Sequence, residues 1–440
     1  MAFSYTQGDQ AVDSDLIDNE APNSLQDAGS TVYVGYSRAC ILQAVMGKMM
    51  ISEPAGRLKL LIRAQYFLYF GVMGIYLPYF NLYLYHIKLS GFQIGVLSAL
   101  RSVVLVLFPV LWGMLADQLQ ARRVIYVFCN IASAMIWSLY LCTTRFEWLV
   151  VITLGYGIFF SPIISFLEAI TMDVLGKEKL RYGQTRAWGS IAFIAVVIIV
   201  GGAIDTYPVG IILPLILAGG IIQSLVSLGA LSVRNTKLKG KGLSGGGGRL
   251  MSRKSIVFLI CAFLMLLSHG AYYGFFSIHL DKLGFGKTFI GISWAVASVA
   301  EIFMMIYSKR IFKRFSLETV MVFSLSIAAM RWFLLAFVDS GPLILLTQVL
   351  HAFTYGAFHM ASILYVDALS SEASKTLGQA VNNAVSYGMG LMAGFFLSGY
   401  LYENIGSHAL FMTSGGIALS GCMIMKLYQI GFQNRQKESL

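Results

Sequence analysis

Ionisable side chains interrupt otherwise apolar stretches of this sequence at Arg101, Glu168, Arg186, His269, His279, Glu301, Arg331, His351 and His359, with Asp173 and Asp367 close to the ends of such stretches. A charge held at membrane depth costs several kcal/mol unless it is paired or hydrated, so each is a candidate functional position. Arginine with glutamate can form a charge-assisted ion pair, which either serves function or only locks helix packing. A carboxylate near histidine and arginine is the chemistry of proton uptake and release.

Two groupings stand out. Glu168 and Arg186 are separated by a short polar turn that folds their stretches into a hairpin, so an ion pair across it is geometrically reasonable. Glu301, Arg331 and His351 fall on three successive stretches, and two cations with one carboxylate facing inward would form a cluster whose net charge changes with one proton. His359 follows His351 by eight residues and shares its helical face. Arg101 has three open readings: snorkelling, lining a cavity, or pairing with Glu168. Aromatic residues crowd the first stretch, from Tyr66 to Tyr85, as packing or interface anchors, with a few lining a cavity. Cys40, Cys129, Cys142, Cys261 and Cys422 have no ligand spacing and HExxH is absent, so no metal, cofactor or disulfide framework is expected.

The elements that must position these groups are legible in composition. Hydrophobic residues make up 57% of the 440 and charged residues 12%, against about 25% charged in a soluble domain; the mean hydropathy is +0.72. Such a surface needs lipid as its solvent. Apolar runs long enough to cross a hydrocarbon layer of about 30 Å as helices predict spans at 60–86, 92–115, 124–143, 148–172, 186–204, 209–232, 255–280, 288–308, 317–337, 342–366, 377–400 and 407–428.

The net charge of +11 follows from where the basic residues sit: Arg57, Lys59 and Arg63; Arg122 and Arg123; Lys177, Lys179 and Arg181; Arg234 to Lys254; and Lys309, Arg310, Lys313 and Arg314. These alternate connections form a positive-inside pattern, which removes the need for nucleic acid and puts both termini in the cytoplasm of a cell (inner) membrane protein. Expected partners are a small-molecule substrate and the lipid bilayer, with no obligate protein partner. Residues 1–56, acidic from Asp9 to Asp27 without Lys or Arg, read as a disordered cytoplasmic tail. Its apolar run Cys40–Ile51 is too short to span; it is a short interfacial helix or a translation start placed too far upstream.

The chain also matches itself at an offset of about 195 residues. Phe80, Leu84, Ile94, Gly95 and Ala99 recur as Phe276, Leu280, Ile290, Gly291 and Ala295; Asp173, Leu175, Gly183 and Gln184 recur as Asp367, Leu369, Gly378 and Gln379; the basic loop Asp117–Arg123 answers to Lys309–Arg314. Two parallel six-helix bundles, 57–233 and 255–428, joined by a basic, glycine-rich linker 234–254 and followed by a tail 429–440, have the organisation of the major facilitator fold, an all-α integral membrane fold with twelve transmembrane helices. There the substrate site lies between the halves near the bilayer midplane. The loop Gly113-Met-Leu-Ala-Asp117-Gln-Leu-Gln-Ala-Arg122-Arg123 resembles the superfamily's signature between helices two and three. Its glycine permits close helix approach, and Asp117, Arg122 and Arg123 can latch one state. Gln120 stands where the usual pattern has a second glycine.

The segment Glu168-Ala-Ile-Thr…Tyr182-Gly-Gln-Thr-Arg186-Ala-Trp-Gly-Ser190 resembles the oligosaccharide/H⁺ symporter (lactose permease) family and, more closely, the phenylpropionate permease family. In the second half, Glu301, Arg331 and Gln348-Val-Leu-His351-Ala-Phe-Thr354-Tyr-Gly-Ala-Phe-His359 agree. The resemblance implies that Glu168, Arg186, Phe193 and His351 bind substrate and that Glu301, Arg331 and His351 serve proton coupling. Thr354 replaces the protonated glutamate of lactose permease, Phe193 its sugar-stacking tryptophan and Met304 a hydrogen-bonding asparagine, which argues against a sugar.

The resulting expectation is H⁺-coupled import of a small organic solute, an aromatic carboxylate foremost, with Arg186 as anion partner and Glu301 as coupling carboxylate. The alternatives are an exporter or uniporter of the same fold, or a sugar or nucleoside H⁺ symporter. An enzyme would need a nucleophile, metal site or phosphate loop that the sequence does not offer.

Overall fold

A computed structural model of the chain describes residues 54–232, 252–371 and 374–438. Most of the acidic tail with Cys40–Ile51, most of the linker with Gly245–Gly248, and the side chain of Lys177 lie outside the described residues. Helices account for nearly all of what is described, and no strand occurs there. That is the outcome lipid imposes, because a helix satisfies its own backbone hydrogen bonds.

In chain order the helices are α1 (Pro54–His86), α2 (Gly91–Gln118), α3 (Arg122–Ser138), α4 (Phe146–Leu175), α5 (Tyr182–Thr206), α6 (Ile212–Ser227), α7 (Arg253–Lys282), α8 (Lys287–Arg314), α9 (Leu317–Phe337) and α10 (Gly341–Leu369), then α11 (375–405) and α12 (407–438). By length and composition eleven runs can cross a membrane, the last spanning 55 residues, Leu377–Gly431. A straight helix of that length would measure about 80 Å, far more than one crossing. It breaks at Gly406, whose φ of 77° is left-handed and open to glycine. The contacts with α7 prove the reversal. Phe275 stacks on Tyr402 and Gly270 abuts Gly394, so α11 runs parallel to α7. His279 meets Ser407 and Cys261 reaches Gly421, so α12 runs antiparallel to it. The described chain therefore holds twelve crossings, as the hydropathy predicts.

The repeat marks where the halves meet. A Cβ on Gly95 of α2 would stand 2.7 Å from Phe395 O and 2.8 Å from Gly399 Cα of α11. Its repeat partner, Gly291 of α8, abuts Val197 of α5 in the same way. Bare glycine surfaces let helices in lipid approach to backbone contact.

The bonds that join the halves gather at one end of the bundle, the end carrying the α1–α2 and α7–α8 connections. Asp205, from α5, caps the start of α8 through Lys287 N, Thr288 N and Thr288 Oγ1. In repeat-related fashion Glu403, from α11, accepts a hydrogen bond of 2.9 Å from Phe92 N at the start of α2. His86 lies 3.0 Å from Asp281. A carboxylate on a helix start satisfies orphan N–H groups and the positive end of the dipole. At the other end the ion pairs stay within one half: Lys59–Glu178, Arg122–Asp117 and Arg122–Asp173 in the first, Lys375–Asp367 in the second. Sites for a Cβ on Gly113 and Gly183 have no atom within 4 Å there. Among the described residues the halves thus close on each other at the α1–α2 end, and no ion pair or side-chain hydrogen bond joins them at the α2–α3 end.

Candidate functional site

The second half brings together Glu301 from α8, Arg331 from α9, and Gln348, His351 and Thr354 from α10. Arg331 is 0% exposed. Its Nη1 donates to His351 Nδ1 at 2.8 Å and to Thr354 Oγ1 at 3.2 Å, and its Nη2 donates to Gln348 Oε1 at 3.0 Å. A guanidinium accepts nothing, so Nδ1 is the bare nitrogen of His351 and the ring hydrogen is assigned to Nε2. Nε2 then donates to Glu301 Oε1 at 3.1 Å. His351 is therefore neutral here and bridges Arg331 to Glu301. The expected second cation is corrected to a neutral relay, because a second N–H would point at the arginine's own donors. Among the described residues Glu301 makes this one hydrogen bond, leaving its other oxygen for a proton.

Two rings flank Arg331, Tyr272 at 4.3 Å and Trp332 at 4.7 Å from the guanidinium carbon to the ring centroids. Tyr272 donates to Gln348 and Trp332 to Ser268, which fixes the rings. Below His351 the helix widens into a π-turn, Ala352–Ala357, of the kind found at functional sites. Tyr355 stacks on His351 and, on its other side, on His359, with ring centroids 5.4 and 5.7 Å apart. His359 Nδ1 meets the hydroxyl of Tyr387 from a second π-turn, Ala384–Gly390 in α11. His269 bonds the Met265 carbonyl and His279 bonds Ser407, each through Nδ1.

The first half handles its charges otherwise. The turn Gly176–Arg181 folds α4 against α5, as the spacing predicts. Tyr182 donates to Glu168 Oε1 at 3.2 Å. Arg186 is 4% exposed and lays its guanidinium 3.7 Å from the centroid of Phe70, at the distance of a tight cation–π contact. Arg101 settles among its three readings: it lies 4.9 Å over Tyr76 and 5.9 Å from Phe395 of α11, lining the junction of the halves.

Other expected residues are positioned less centrally. Phe193 is 3% exposed, packed where its backbone crosses Gly74 of α1, so a solute cannot reach it in this conformation. Met304 packs on Gly356. In the loop motif Arg122 bridges Asp117 at 3.2 Å and Asp173 at 3.7 Å, while Arg123 is buried. Gly113, expected at a close approach, faces open space, because among the described residues no ion pair or side-chain hydrogen bond joins the halves at this end. Gln120 takes a left-handed φ of 51° and donates to Asp117 O. The motif's usual glycine conformation is thus kept by a residue that strains to adopt it. Gln348, Tyr272, Asp205 and Glu403 were not singled out in the sequence as site residues; only the polar Gln348 inside an apolar run carries a signal that would have found it. Among the described residues no group of histidine, cysteine and acid side chains could hold a metal ion.

Comparison with known proteins agrees with this architecture. The chain is 26% identical over 360 residues to the probable 3-phenylpropionic acid transporter of Escherichia coli K12, covering 80% of this chain and 93% of that one. It is 25% identical over 378 residues to the maltose permease of Geobacillus stearothermophilus, covering 82% and 92%. Among solved structures, the nucleoside transporter NupG superposes with a TM-score of 0.74 at 18% identity, covering 84% of this chain and 98% of that one. The model of the MFS_1 like family matches residues 60–413. With that match over most of its length and twelve crossings in two repeated halves, the chain belongs to the MFS_1 like family: it is a multi-pass major facilitator transporter, not an enzyme.

Proposed function

We propose that this transporter moves a small organic solute across the cell (inner) membrane by alternating access, as an H⁺-coupled symporter. The observation that carries the reading is Glu301, a buried carboxylate held by one hydrogen bond from a neutral histidine and kept one ring away from Arg331. Protonation of its free oxygen needs no bond to break, yet it removes the negative charge that balances Arg331. A gain or loss of that charge is felt across three helices, which is what ties a proton to a change of conformation. The basic connections support the orientation: both termini cytoplasmic and the α2–α3 end facing the cytoplasm. Asp117, Arg122, Arg123 and Gly113 then act as a latch that is engaged when that end closes. Glu168 and Arg186 are the first half's share of the solute site and His351 the second half's.

The substrate class follows the resemblance and the relatives: an aromatic carboxylate first, with nucleosides and disaccharides as the alternatives to exclude. Proteoliposomes given labelled 3-phenylpropionate, a nucleoside and maltose, with and without an inward proton gradient, test it. Gradient-driven accumulation of one class that Glu301→Gln abolishes, while solute exchange persists, supports symport. Accumulation that Glu301→Gln leaves coupled to the gradient rejects Glu301 as the coupling group, and export in inverted vesicles rejects import.

A further inference from the structure

The charges at mid-membrane do not balance. Glu301 is matched by Arg331 through His351, and Glu168 shares its hairpin with Arg186. Arg101 is left over. It stands ten residues after the start of α2 at Gly91, about 15 Å along the axis and so near the middle of a hydrocarbon layer about 30 Å thick. Its neighbours are rings. Tyr76 lies beneath the guanidinium, Phe395 of the other half lies beside it, and Tyr140 and Tyr156 are within electrostatic reach. Among the described residues no carboxylate pairs with Arg101, which is only half-buried and so open to the junction.

A second group at the same place lacks an acceptor. Tyr76 is 4% exposed and its hydroxyl has no hydrogen-bond partner among the described residues. Buried donors are ordinarily satisfied, and an unpaired cation in lipid is tolerated only where something functional pairs with it. Two donor groups side by side with no acceptor define the missing one: an anion small enough to take both.

We propose that, in a conformation that parts the rings at the junction of the halves, Arg101 together with the Tyr76 hydroxyl receives the carboxylate of the transported solute, whose apolar or aromatic body lies against Phe395; here Tyr76 and Phe395 are each 4% exposed. This rests on the transporter reading above and moves the anion partner from Arg186, which is buried against Phe70, to Arg101. Because Tyr76 and Phe395 belong to opposite halves, one bound anion would touch both.

The test is equilibrium binding to the purified protein in lipid nanodiscs, using 3-phenylpropionate, benzoate and cyclohexanepropionate against their uncharged amides and against uridine. The wild type should prefer at least one carboxylate to its amide. Arg101→Gln should lower that carboxylate's affinity roughly 100-fold and leave the amide's nearly unchanged, with partial recovery in Arg101→Lys. Tyr76→Phe, which keeps the ring, should lower it roughly 5-fold, and decides the matter alone if Arg101→Gln does not fold. No preference for any carboxylate, an Arg101→Gln or Tyr76→Phe protein that binds it as the wild type does, or a loss seen with Arg186→Gln only, would overturn the proposal. Anion binding that depends on Arg101 without gradient-driven uptake would instead reject symport and keep the site.

Discussion

The two halves of the molecule share one pattern but house their charges by opposite means. In the second half Arg331 is enclosed: every group it touches, His351, Gln348, Thr354 and the faces of Tyr272 and Trp332, is a fixed part of the protein, and Glu301 closes the set. In the first half the arginines lie on rings, Arg186 on Phe70 and Arg101 over Tyr76. Among the described residues Nε of Arg331 is the one buried atom of this network left without a hydrogen-bond partner, so the network has room for a change of proton and little else. Arg101, over the face of Tyr76 and only half-buried, keeps an N–H edge open to the junction. One half is built to hold charge, the other to exchange it.

The strongest test of that contrast removes one arginine from each half. Arg331→Met leaves the buried Glu301 uncompensated and should cost about 3–5 kcal/mol, read as thermal unfolding in detergent, whereas Arg101→Met, which removes a half-buried cation with no carboxylate paired to it among the described residues, should cost about 1 kcal/mol. Equal losses would erase the distinction. Next in size is the seam where the halves touch. Gly95→Val pushes a branched side chain into the backbone of α11 and should disfavour the closed α1–α2 end by about 1–3 kcal/mol. Spin labels on α2 and α11 at that end should move apart, and an unchanged distance would show that the seam is not what holds the halves together.

Smaller effects sharpen the comparison between the two ends of the bundle. Asp205→Asn keeps a cap on the start of α8 but removes its charge. It should shift the same labels' distribution by about 1 kcal/mol, and Glu403→Gln should match it because the two caps are repeat-related. Gln120→Gly relieves a left-handed residue and should stabilise the first half by about 1 kcal/mol; destabilisation would mean that its bond to Asp117 O outweighs the strain. Smallest is the exposed Lys59–Glu178 pair, where Lys59's hydrogen bond and charge hold the Glu178 carboxyl below its usual value. Its small stabilisation is present above the ordinary glutamate pKa of about 4.3 and fades as pH falls through the lowered one. A Glu178→Gln protein should therefore unfold slightly earlier than wild type at neutral pH and together with it in strong acid.

Much of the fold is legible in the sequence. Hydropathy located all twelve crossings, including the last two that run on as one helical stretch, because polar residues such as Glu403 and Asn404 interrupt the apolar run where the chain breaks at Gly406. The repeat found Gly95 and Gly291, the points of closest approach, since backbone contact in lipid demands small residues and the repeat carries one in each half. The meeting of Glu301, Arg331 and His351 was also legible, because few charges occupy apolar stretches and those that do seek one another. Other features were not. His351 read as a cation, Phe193 as a surface for solute and Gly113 as a contact; which nitrogen of a ring is bare, and which side of a helix is covered, depend on how neighbouring helices rotate.

The sequence by itself determined that this chain lives in a membrane, crosses it twelve times in two related halves and carries a handful of charges inside, because burial in lipid is a matter of length and composition. Only the tertiary structure decided how those charges are used. Pairing is a relation of a few ångströms between helices far apart in the chain, so the neutral bridge at His351 and the solitary Arg101 came into view only when the helices were set side by side.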